Sequence, residues 1–135
     1  MKNDKIQGFV VVASENLPRN GFITEYCGTV ETLMTASEDD NDSIMDLLII
    51  PKKDEISLCI VPRSHGNIAR FISGINNHDK ILARKQNVRS ARFNINGECR
   101  VILFTVKKIK KGEQLYYDYN GGDKTNKRYP TENFV

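Results

Sequence analysis

Apolar residues along this chain come in short extended runs broken by turn residues, which predicts a mainly β protein. Phe9 to Ala13 reads as a strand, closed by the turn Leu17-Pro18-Arg19-Asn20-Gly21. Phe22 to Val30 follows as a second strand, and Asp46 to Ile50 and Ser57 to Val61 as two more, joined by the polar link Pro51-Lys52-Lys53-Asp54-Glu55. Arg92 to Ile95 and Glu98 to Val101 flank Asn96-Gly97, a hairpin signal because both central residues tolerate positive φ. The second arm continues to about Val106, and Lys110-Lys111-Gly112 then turns the chain into a last strand. Helix is scarce: Asn67 to Phe71 and the segment Glu31 to Ala36 are the short candidates.

That last strand, Gly112 to Gly121, places Tyr116, Tyr117 and Tyr119 within four positions of a chain that has five tyrosines. In extended backbone Tyr117 and Tyr119 share one face, and Tyr116 and Asp118 the other. Two phenols on one face make an apolar-walled, polar-tipped slot. A weak internal echo puts Tyr26, in Tyr26-Cys27-Gly28, at a matching position after a glycine turn. Taken singly, each tyrosine is most simply a packed aromatic with a satisfied hydroxyl. The segment Asn67 to His78 has no clean period; Phe71, Ile72 and Ile75 argue against a free loop, and Gly74 allows a ligand to approach the backbone.

Composition narrows the classes. With 135 residues, 39% hydrophobic and 27% charged, the chain reads as one ordinary globular domain. No apolar run approaches a membrane span, and no membrane partner is expected. Cys27, Cys59 and Cys99 are odd in number and widely spaced, which predicts a reducing compartment and no structural metal. Net charge is +3 but unevenly placed. Glu38 to Asp42, with Asp46, forms an acidic cluster that is either a solvated loop or an attractor for a basic peptide. Arg84 to Arg92 and Lys107 to Lys111 are basic, leaving a weak accessory contact to nucleic-acid phosphates open.

Four blocks in this order resemble the SET domain of protein lysine methyltransferases: Gly8-Phe9-Val10, Glu25-Tyr26-Cys27-Gly28, Asn67-Ile68-Ala69-Arg70-Phe71-Ile72, and Gly112 to Tyr119. Within that family the chain is most similar to the plant-type, trithorax-related histone H3 lysine-27 monomethyltransferases. Carrying this closer likeness are Gly74-Ile75-Asn76-Asn77-His78, Lys85-Gln86-Asn87, Asn96 to Val101 and Tyr129-Pro130-Thr131 with Phe134. Two departures stand out: Ser73-Gly74-Ile75 replaces the family's Asn-His-Ser, and Val10 stands where many members have a second glycine.

The resemblance implies small curved sheets around a threaded, knot-like C-terminal segment, with residues 1–121 as the catalytic SET domain and 122–135 as a C-terminal segment without zinc. S-adenosylmethionine is the implied cofactor, a histone H3 tail or nucleosome the implied partner, the nucleus the implied location, and the expected state a monomer. Tyr119 falls at the catalytic tyrosine, Tyr26 at another wall of the lysine channel, and Tyr117 at a position tied to how many methyl groups are added. For cofactor the implied contacts are Gly8, Phe9, Arg70, Phe71, Ser73 and Gly74, with Tyr129 and Phe134 either facing adenine or belonging to a frayed terminus. Arg70 is equally readable as an ion-pair partner of Asp118 or Glu113. For peptide they are Ser43, Ile44 and Met45 along a groove edge, where a tail would add as a strand, with Asp42 and Asp46 meeting an arginine beside the target lysine. His65 and His78 read as loop residues, and Tyr116 as packing.

Overall fold

The computed structural model describes residues 2–4, 8–38, 43–75 and 80–118. They are mainly β, as the pattern predicts, with two short α-helices and one 3-10 turn. In chain order the elements are β1 (Lys2–Asp4), β2 (Gly8–Val10), β3 (Phe22–Glu25), β4 (Thr29–Thr32), α1 (Leu33–Glu38), β5 (Met45–Leu48), β6 (Leu58–Val61), the 3-10 turn Ile68–Phe71, β7 (Ser73–Gly74), α2 (Lys80–Ala83), β8 (Val88–Ile95), β9 (Glu98–Thr105) and β10 (Tyr116–Tyr117). β1 and β2 pair antiparallel; the other two sheets have the orders β3-β9-β8-β10-β7 and β4-β6-β5. Two compact units result, one of residues 1–23, 71–90 and 103–135, the other of 24–70 and 91–102.

In the first unit the crossing from β9 to β10 runs beside the N-terminal loop. Leu17 and Ile109 exchange main-chain hydrogen bonds of 2.8 and 3.0 Å, Gly112 N–H donates to Ala13 at 2.7 Å, and Leu115 N–H to Val11 at 2.8 Å. Val11, Ile109 and Leu115 are thereby buried with Ile72, Val88 and Leu103. Burying an aliphatic side chain of this size contributes roughly 1.5–3 kcal/mol. β10 ends up between two earlier strands, parallel to both: Tyr117 lies opposite Gly74 on one side and Val88 on the other. That insertion is the described part of the threaded C-terminal segment.

The second unit packs α1 on the β4-β6-β5 sheet through Leu33, Ala36, Cys59 and Val61, with Ile44 against them. Thr32 caps the helix, its Oγ1 accepting the Thr35 N–H at 3.2 Å. α1 starts later than the expected Glu31 because Glu31 and Thr32 still pair with Cys59 and Leu58 on β6.

The hairpin is where its turn residues put it, with Asn96 at φ 51° and Gly97 at φ 83°. The single strand expected over Phe22 to Val30 is instead two, β3 and β4, which belong to different sheets. Gly28 explains the break: a Cβ there would stand 2.6 Å from the Val61 carbonyl oxygen, so the chain can cross only without a side chain. α2 has no counterpart in the sequence reading. It is a single turn too short to show a period.

Candidate functional site

In the first unit the tyrosine strand is clamped from both sides. Ile75 N–H donates to the Tyr117 carbonyl at 3.1 Å, and Asn87 N–H to the Tyr116 carbonyl at 3.1 Å. The Asn87 side chain is buried and completes the clamp, donating to the Gln114 carbonyl at 2.9 Å and accepting the Tyr116 N–H at 2.8 Å. Gln114 Nε2 in turn donates to Ser73 Oγ at 2.8 Å. Ser73 and Gly74 therefore lie beside Tyr116 and Tyr117 in register, joining the third and fourth sequence blocks in one place. Tyr117 is 5% exposed. Tyr116, half-buried, carries the Lys85 ammonium 5.8 Å from its ring centroid, in keeping with a packing role.

Phe9 stands edge-on to Phe71 with ring centroids 6.0 Å apart, yet remains 53% exposed. Beside it Gly8, at φ 74°, has no atom within 4 Å of where a Cβ would be. An open aromatic face next to accessible backbone suits a flat, partly polar ring such as adenine, so these residues fit the expected cofactor.

In the second unit Tyr26 is 2% exposed, its N–H bonded to the Val101 carbonyl at 2.8 Å. Its hydroxyl donates to the main-chain carbonyl of Ser43, which sits at φ 58°. The tyrosine thus fixes the start of the segment leading into β5. Asn67 holds the other side of the Tyr26 turn: its Nδ2 donates to Thr24 Oγ1 at 3.1 Å, Glu25 O at 2.9 Å and Cys27 Sγ at 3.3 Å. Asn67 Oδ1 accepts the Ala69 N–H at 3.1 Å, opening the 3-10 turn. Arg70 Nη1 donates to the carbonyls of Pro62 and Arg63 at 3.4 and 3.3 Å.

A cavity of about 560 Å³ in this unit has Leu47, Leu58 and Ile60 among its walls and Glu25, Glu98 and Arg100 among its charges. Arg100 contacts Glu98 at 3.0 Å and Glu25 at 3.6 Å. Burial, and then the Glu25 carboxylate, push the Cys27 thiol above its ordinary pKa, against a smaller pull from Arg100.

Of the expected site residues, Phe9, Phe71, Ser73, Gly74 and Tyr117 fall with Gly8 in the first unit, and Tyr26, Ser43, Ile44, Met45, Asp46 and Arg70 in the second. Tyr119, Asp42, Tyr129 and Phe134 lie outside the described residues, as does His78. Along the expected groove edge Ile44 packs against the core cluster and Met45 is buried, while Ser43 is exposed and Asp46 half-buried. The edge of β5 is also engaged: the Asp46 carbonyl accepts from Arg92, and Leu47 O lies 4.0 Å from the Cys99 thiol. His65 sits in an exposed turn, its Nδ1 2.9 Å from Ser64 Oγ. Asn67, Asn87 and Gln114 went unassigned as holders of the tyrosine segments. Asn67 and Gln114 lie inside the blocks that signalled the site, but an amide's hydrogen-bond partners cannot be read from a pattern of polarity.

Comparison with known proteins agrees with this arrangement. The chain belongs to the SET domain family, which it matches over residues 8–120. It is 46% identical over 132 residues to the histone-lysine N-methyltransferase ATXR5 of Arabidopsis thaliana, covering 98% of this chain and 34% of that protein. To ATXR6 of the same plant it is 48% identical over 133 residues, covering 98% of this chain and 37% of the relative. The chain thus spans about a third of the length of these curated relatives. Its fold superposes with a TM-score of 0.89 on the crystal structure of ATXR5 in complex with histone H3.1 mono-methylated on R26, at 46% identity, covering 99% of this chain and 60% of that one.

Proposed function

We propose that this chain is the catalytic domain of a histone-lysine N-methyltransferase that adds one methyl group to an H3 tail lysine, lysine-27, in the nucleus. The observation that carries the reading is the likeness to ATXR5 across nearly the whole chain, in a fold solved for ATXR5 with an H3.1 peptide. Bound S-adenosylmethionine supplies a methyl group activated by sulfonium charge. Gly8, Phe9, Phe71, Ser73 and Gly74 would hold it, with Tyr129 and Phe134 of residues 122–135 proposed as further cofactor contacts. Arg70 contributes by fixing the 3-10 turn that leads to Phe71.

The chain's remaining task is to deliver a neutral amine in line with that methyl. Tyr26 and Tyr117 are each proposed as aromatic lysine contacts, and an apolar surrounding of that kind strips water from the amine and lowers its pKa. Alignment of amine and methyl then supplies much of the rate. Tyr119 is the proposed catalytic tyrosine, whose hydroxyl would act at the transferring methyl, where oxygen atoms can add weak C–H···O contacts. The Tyr26 bond to Ser43 ties this tyrosine to the proposed peptide-facing segment, where Asp46 and Asp42 would meet an arginine beside the target lysine.

Titration calorimetry with S-adenosylmethionine, followed by transfer of labelled methyl to an H3 peptide, tests this reading. The wild type should bind cofactor and label the peptide, and Tyr119→Phe should bind cofactor with little change but lose nearly all transfer. Cofactor binding without transfer in the wild type would show a degenerate SET module instead.

A further inference from the structure

The two basic stretches are far apart in sequence, but they meet in the first unit. Lys107 Nζ donates to the Arg84 carbonyl at 2.9 Å, and the Val106 N–H to the Asn87 carbonyl at 3.0 Å. Between Lys108 and Lys110 lies Ile109, 1% exposed and paired through both main-chain groups with Leu17. Alternate residues of extended backbone point to opposite sides, so burying Ile109 turns both lysines outward together. Lys111 follows at the turn, its N–H held by Asn16 Oδ1 at 2.9 Å.

Arg84, Lys85, Lys107, Lys108, Lys110 and Lys111 are all exposed. Among the described residues the ion pairs of this molecule are those of Arg100, so none of the six is neutralised by a described carboxylate. Glu15 and Glu113 are the exposed acids in the neighbouring turns. Among the described residues these six exposed cations face two exposed carboxylates in the neighbouring turns, so positive potential gathers around the Arg84–Lys107 contact and the outward-turned pair Lys108 and Lys110.

We infer that this face docks the phosphate backbone of duplex DNA. Lysines are point charges suited to phosphate rather than to base edges, so the contact is independent of sequence. The aromatic ring among them, Tyr116, lies half-buried beneath Lys85 and offers no platform for stacking single-stranded bases. The choice of DNA over an acidic protein rests on the proposed histone substrate, because a nucleosomal tail is presented beside wrapped DNA.

The test is fluorescence anisotropy of a labelled random-sequence duplex against the whole chain, over a range of salt, for wild type and Lys108→Gln/Lys110→Gln. Losing two phosphate contacts should weaken binding roughly tenfold or more at 0.1 M salt and flatten the log–log salt slope by about 1.8. The melting temperature should stay unchanged, since both side chains are in solvent. A wild type that binds no duplex, or a variant with unaltered affinity and slope, overturns the inference. So does binding of poly-glutamate in place of DNA. Transfer to free H3 peptide, measured on the same samples, separates the two readings: its absence in the wild type counts against the proposed activity, not against the DNA contact.

Discussion

Tyr117 is buried and wedged between Gly74 and Val88, so its hydroxyl has little freedom to leave the place the backbone gives it. In the proposed function this hydroxyl faces the lysine, where it would occupy room that a methylated amine needs in order to turn for a second transfer. Tyr117→Phe should therefore raise the yield of di- and trimethyl product relative to wild type, read by mass spectrometry after exhaustive reaction. An unchanged product distribution sinks the switch argument. Cys27 gives a second residue-scale expectation. With its thiol held neutral by burial and by Glu25, less thiolate is present at neutral pH, and the thiolate is the nucleophile. Alkylation by iodoacetamide at pH 7.5 should run slower at Cys27 than in a short unfolded peptide containing it, and the gap should narrow as pH rises. Spacing and motif order single out Tyr26 and Tyr117, and both are buried in the structure. The hydroxyl bond from Tyr26 to Ser43 was not legible in the sequence, because it joins residues 17 positions apart through a main-chain group that no side-chain pattern marks.

At the scale of elements, the tyrosine strand depends on a residue outside it. Asn87 presents donor and acceptor to the Gln114 carbonyl and the Tyr116 N–H, on either side of Leu115, a two-point clamp at the start of a strand only two residues long. Asn87→Ala removes both partners from a buried site and should cost about 2–6 kcal/mol, since each lost partner costs about 1–3. Urea unfolding would show this as a lower midpoint at unchanged slope. Retention of the wild-type midpoint would remove the clamp from the account. The β8–β9 hairpin was readable because Asn-Gly fixes its turn locally. The division between β3 and β4 was hidden, since Gly28 is required by the approach of Val61, which is remote in sequence. Sheet membership likewise depends on pairings between distant segments, such as β10 with β7 and β8.

For the whole molecule, a short domain with modest composition places the Tyr116–Tyr117 strand beside Ser73 and Gly74, an arrangement that needs the chain's last blocks to return between earlier ones. Block order made the SET assignment visible, while the position of β10 inside the sheet had to come from structure. The departure at Ser73 also gains a physical role, because its hydroxyl is tied to Gln114 in the strand approach rather than standing alone as a shortened asparagine. The proposed function requires this fold to deliver one methyl group to one lysine. Its most direct test is tandem mass spectrometry of an H3 tail peptide incubated with the chain and S-adenosylmethionine. A single methyl on lysine-27, with no second addition at long times, is the predicted result; methylation elsewhere, or an unmodified peptide, would contradict it.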